Sequence, residues 1–83
     1  MSPASIADAV YRALAKQLNL PEAELRARAA DGLDALGLDS HGLMRVLLEI
    51  EQALGLATGS LELSDQALES PQTMVAGVAA ARP

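Results

Sequence analysis

The sequence predicts an all-α fold: a small four-helix bundle of three longer helices and a short third helix, with a long first loop. Three observations carry this prediction. Apolar residues make up 51% of the 83-residue chain and aromatics only 1%, so a core has to be built from Leu, Val, Ile, Met and Ala, with strand formers scarce. Apolar positions recur at helical spacing in three separate stretches. A capping pair stands at the head of each stretch: Ser2-Pro3, Asp39-Ser40 and Ser70-Pro71.

In the first helix Ser2 and Pro3 read as N-cap and first helical residue, and Ile6, Val10, Leu14 and Leu18 then recur every four positions. Asn19 and Pro21 end it, because the residue before a proline is pushed out of the helical region. Residues 19–38 form a long connection holding Leu20, Leu25, Leu33, Leu36 and Leu38, and "PEAELRARA" within it has the composition of a short helix. A connection of that length packs its own apolar residues or serves a function. The next helix starts at Asp39 or Ser40. Leu43, Val46, Leu47, Ile50 and Leu54 follow at i, i+3, i+4, i+7 and i+11, and Gly55 is its natural stop. Ser64 or Asp65 can cap a single turn through Leu68. The last helix opens at Ser70 and Pro71 and buries Met74, Val75 and Val78.

Residues 1–83 are expected to form one domain, near the size at which a single core becomes marginal without disulfides or metal. The chain has no cysteine, so disulfides and thiolate zinc sites are excluded, and any thiol chemistry needs an imported thiol. No stretch approaches the roughly 20 apolar residues of a membrane span, and no secretory signal is readable. The expectation is a cytoplasmic protein.

The formal charge of -5 is unevenly distributed. Residues 29–81 carry Asp31, Asp34, Asp39, Glu49, Glu51, Glu62, Asp65 and Glu69 against Arg45 alone, whereas residues 1–28 are close to balanced. Such a surface repels phosphate backbones, which argues against nucleic-acid binding, and it favours solubility or steering toward basic proteins.

Ser40 next to His41 raises the question of a nucleophile and its base. Adjacent residues at a helix start point about 100° apart, and the nucleophile-elbow pattern G-x-S-x-G is absent because Leu38 occupies the required glycine position. A single histidine among scattered carboxylates lacks metal-ligand spacing, and no glycine-rich phosphate loop is present. His41 reads instead as a solvated or half-buried residue of the first helical turn.

On a helical wheel with Ser40 at zero, the core stripe centres near about 290°, while Met44, Leu48 and Glu51 fall between about 20° and 80°. Two large apolar side chains therefore share the flank of Ser40. They either widen the core stripe or form a partner surface fringed by Glu49 and Glu51.

The segment "LGLDSHGLMRVLLEIEQALG" resembles the region around the modified serine of acyl carrier proteins, in which an L-G-x-D-S motif ends the long first loop and opens a helix. Size, acidity and element order extend the resemblance over most of the chain. The resemblance implies a 4'-phosphopantetheine joined through a phosphodiester to Ser40, with Asp39 as motif residue and helix cap. It implies no catalytic role for the chain. The partners implied are a phosphopantetheinyl transferase and acyl-loading and acyl-processing enzymes with basic docking surfaces, meeting a monomeric carrier at Met44, Leu48, Glu49, Glu51, Arg45 and His41.

Two positions depart from the family pattern: His41 stands where leucine is common, and Arg45 where an acidic residue is common. They direct the expectation toward a free-standing carrier in polyketide or mixed polyketide and peptide assembly. Leu38 with Asp39 favours the acyl type over peptidyl carriers, and a peptidyl or aryl carrier with a different cargo is an alternative. The rival from another class is a helical interaction module in which Ser40 is only a helix cap.

Overall fold

The computed structural model describes residues 3–81. Four helices follow in order, α1 (Pro3–Leu18), α2 (Glu22–Ala27), α3 (Ser40–Leu54) and α4 (Pro71–Ala81), with no strand among the described residues. The expected Ser2 cap lies outside them. The short helix is second in chain order, not third, and falls within "PEAELRARA". Residues 65–68 form only hydrogen-bonded turns, in which the Leu68 N–H donates to the Asp65 carbonyl and that of Glu69 to Gln66. Ser64 accepts from the Ala67 N–H at 3.3 Å, but Pro71 pushes Ser70 out of the helical region before the turn can propagate.

Helix α1 packs against α2, α3 and α4. Ile6, Val10 and Leu14 are buried as their spacing predicts, and burial extends round the helix to Ala9, Tyr11 and Ala13 because it has neighbours on several sides. Asn19 ends α1 in the left-handed region at φ 55°, and the Leu20 N–H returns to the Ala15 carbonyl at 3.1 Å. Fully buried Leu25 fastens α2 to the core. At the rim of the core, the Arg26 guanidinium lies 4.6 Å from the centroid of the buried Tyr11 ring and donates to Asp8 at 2.8 Å.

The connection between α2 and α3 packs its own apolar residues. Leu33 is buried, Leu36 and Leu38 half-buried, and residues 33–37 form successive turns. Two backbone bonds pin this connection to the approach of α4. The Leu33 N–H donates to the Glu69 carbonyl at 2.9 Å, and the Gln72 N–H to the Ala29 carbonyl at 3.0 Å.

Val46, Ile50 and Leu54 form the buried stripe of α3, with Leu43 and Leu47 half-buried on its margins. Gly55 takes the left-handed conformation at φ 71°, which lets the Leu56 N–H bond the Glu51 carbonyl at 2.8 Å and closes the helix. At the head of α4, Ser70 and Thr73 cap reciprocally. The Ser70 N–H donates to Thr73 Oγ1 at 2.9 Å and the Thr73 N–H to Ser70 Oγ at 3.3 Å. Met74 and Val78 are fully buried, and Val75 half-buried.

Gly77 lets α4 approach residue 67 closely, since a Cβ built there would lie 2.5 Å from the Ala67 Cβ, an atom that cannot rotate away. Alanine is the better helix former by about 1 kcal/mol, but the overlap is worth more. Gly77→Ala is therefore expected to lower stability by about 1–2 kcal/mol in thermal melting. A raised melting temperature would show that the two segments are not in contact.

Candidate functional site

Asp39 is the N-cap of α3: its backbone is extended, and Oδ1 accepts from the Gly42 N–H at 2.7 Å. The Leu43 N–H takes the Asp39 carbonyl at 2.8 Å. Ser40 is thus the first helical residue and not the cap, which overturns the reading in which its hydroxyl only closes the helix. Its side chain is exposed and takes part in no hydrogen bond among the described residues. Ser70 and Ser64 differ, since Ser70 is buried within its capping pair and Ser64 accepts from Ala67; Ser60 is exposed like Ser40 but lies in the loop after α3, away from any helix N-terminus.

The first turn of α3 leaves the backbone N–H groups of Ser40 and His41 without intrahelical partners, at the end of the helix where the dipole favours an anion. Gly42 keeps this turn close to its surroundings. A Cβ there would lie 3.0 Å from Leu38 Cδ1 and 3.1 Å from Gln17 Nε2. His41 is exposed, and its side chain makes no hydrogen bond or ion pair among the described residues. Among the described residues no group of three or more His, Asp or Glu side chains could hold a metal ion, and no helix is long and apolar enough to cross a membrane.

Beside Ser40 opens a cleft of about 560 Å³. Its walls include Leu33 and Leu38 from the connection before α3, Leu43 from α3, and Leu68 from the turn before α4, while Asp34, Asp39 and Glu69 carry acidic groups to it. Sequence reasoning placed Leu43 in the core and did not bring Leu68 or Glu69 to the site. Their proximity depends on the bond between the Leu33 N–H and the Glu69 carbonyl, a contact between segments far apart in the chain.

Along α3, Met44 is 60% exposed and Leu48 37% exposed, so neither widens the core stripe. Arg45 is exposed. Glu49 is half-buried and pairs with Lys16 of α1 at 2.6 Å.

Glu51 requires a correction. Expected on the docking face, it is only 3% exposed, with Oε1 accepting from the Gly59 N–H at 3.0 Å and Oε2 from the Leu61 N–H at 2.9 Å. The loop after α3 folds back over the last turn, and Glu51 satisfies the backbone of that loop. Its charge is withdrawn from any partner.

A cysteine-free helical bundle that, among the described residues, exposes an unbonded serine in the first turn of a helix beside a cleft with an apolar wall has the layout of a carrier for a covalently attached group. The family model described as phosphopantetheine attachment site matches residues 8–78. The chain belongs to this family of carrier domains, which hold 4'-phosphopantetheine covalently on a serine and in general serve other enzymes without themselves being catalysts. Comparison with curated proteins and with solved structures gives no match.

Proposed function

We propose that the chain is an acyl carrier whose Ser40 hydroxyl bears the 4'-phosphopantetheine. The observation that carries this reading is the exposed, unbonded Ser40 side chain at the head of α3, with Asp39 supplying the cap in its place. The attached group supplies the thiol that this cysteine-free chain lacks, and acyl cargo is held on it as a thioester.

The chain's own residues do the rest. The cap by Asp39 holds the first turn in place, and the free N–H groups of Ser40 and His41 favour the phosphodiester anion. Leu33, Leu38, Leu43 and Leu68 offer an apolar wall beside the attachment point, against which a cargo chain can be shielded from water. The acids Asp34 and Glu69 at the cleft add to a long-range field that draws basic partners.

In this reading Met44 and Leu48 form the apolar centre of the docking face for a phosphopantetheinyl transferase and for acyl-loading and acyl-processing enzymes. His41 and Arg45 flank that centre, and Glu49 contributes only what its pairing with Lys16 leaves free. The chain works as a single monomeric unit in the cytoplasm. His41 and Arg45 support a specialised pathway, such as polyketide or mixed polyketide and peptide assembly, and Leu38 with Asp39 supports acyl over peptidyl cargo.

Co-expression with a promiscuous phosphopantetheinyl transferase, followed by intact-protein mass spectrometry, tests the reading. One phosphopantetheine per chain is the expected gain, and no gain would contradict it. Met44→Asp and Leu48→Asp test the docking face separately. Met44 is largely solvated, so Met44→Asp should change stability by no more than about 0.5 kcal/mol, and Leu48→Asp, at a side chain still partly covered, by about 1 kcal/mol, while loading slows in both. A large loss of stability with normal loading would return these residues to the core.

A further inference from the structure

We propose that the phosphopantetheinyl transferase reaching Ser40 across α3 places a carboxylate in the groove between α1 and α3, beside an apolar recess that takes Met44 and Leu48. This inference rests on the carrier reading and adds the chemistry of the first partner.

A formal charge of -5 leads one to expect a uniformly basic partner surface. The charges on α3 do not fit that expectation. The Glu51 carboxylate is buried on the Gly59 and Leu61 N–H groups, and Glu49 is paired with Lys16 at 2.6 Å. Glu49 stands four residues after Arg45, where a helical ion pair could form, but it is held by α1 instead. Arg45 is exposed, and its guanidinium makes no ion pair or hydrogen bond among the described residues. The one uncompensated charge on the exposed face of α3 beyond Ser40 is therefore positive.

The groove beside Arg45 has a volume of about 340 Å³. Lys16, Arg45 and Glu49 line it, two cations to one anion, with amide donors from Gln17 and Gln52 and an apolar flank from Leu48. A planar guanidinium with free donors is matched best by a carboxylate, whereas a lysine or arginine of the partner would meet like charge there. Arg45 lies five residues after Ser40, about 7.5 Å along the helix axis and about 140° around it, with the exposed Met44 and Leu48 between them at about 40° and 80°, so an enzyme that acts on the Ser40 hydroxyl and rests on Met44 and Leu48 reaches it. On the other side of Ser40, the cleft carries Asp34, Asp39 and Glu69. The surface around the attachment point is thus acidic on one flank and basic on the other. Net negative charge speeds the encounter with the partner, and the reversal of sign across α3 fixes the orientation in which it docks.

The test is the kinetics of loading apo protein by the phosphopantetheinyl transferase of the organism that encodes this chain, with coenzyme A as donor. Arg45→Glu is expected to lower kcat/KM by about tenfold or more, chiefly through KM, and Arg45→Lys to stay within about threefold of wild type. Melting of both variants should match wild type, because Arg45 holds nothing in the fold. If Arg45→Glu loads as fast as wild type, or faster, the partner does not present a carboxylate and the inference is wrong while the carrier reading stands. If wild type itself acquires no phosphopantetheine, the carrier reading fails and takes this inference with it.

Discussion

Ser40→Ala is expected to remove loading altogether and leave the fold intact. The two effects separate because the cap and the attachment point are different residues. Asp39 accepts from the Gly42 N–H, and the Ser40 hydroxyl bonds nothing among the described residues, so its loss should change stability by no more than about 0.5 kcal/mol. If Ser40 were the cap, the same substitution would cost about 1 kcal/mol. Chemical denaturation and intact mass on one preparation read both quantities. Wild type should gain one phosphopantetheine and Ser40→Ala none, with unfolding midpoints that coincide. Equal loading of the variant would move the attachment elsewhere.

The second large effect concerns stability. Glu51→Ala removes the acceptor of two backbone N–H groups, those of Gly59 and Leu61, the second of them buried. A buried donor left without a partner costs about 1–3 kcal/mol, so a loss of about 2–4 kcal/mol is expected for the pair. For a domain whose total stability is on the order of 5–15 kcal/mol, that is a large fraction. Glu51→Gln keeps one acceptor oxygen and should fall between wild type and alanine. Denaturant titration checks the order. If Glu51→Ala is as stable as wild type, the loop after α3 is not held by this carboxylate.

Glu51 also marks the limit of what the sequence discloses. The extent of α3 was legible in the spacing of Leu43, Val46, Leu47, Ile50 and Leu54, in the aspartate before them and in Gly55 after them, because each acts within a few residues of chain. A helical wheel places Glu51 on the flank of Ser40. It cannot show that residues 55–61 return to cover that flank three turns later. The same holds for the ion pair between Lys16 and Glu49, which depends on how α1 packs on α3.

The candidate site divides in the same way. Ser40, Asp39 and the apolar pair Met44 and Leu48 could be read from one helix and its motif. The cleft could not, since its walls come from three segments joined by the bond between Leu33 and Glu69. The short helix was misplaced in order for a local reason: Ser64 does cap a turn, but Pro71 follows too closely for that turn to become a helix.

Protease digestion of the loaded chain, with tandem mass spectrometry of the peptide that spans Ser40, tests the central claim most directly. The account predicts phosphopantetheine on Ser40 and on no other serine. Its appearance on Ser2, Ser5, Ser60, Ser64 or Ser70, with Ser40 unmodified, would contradict it.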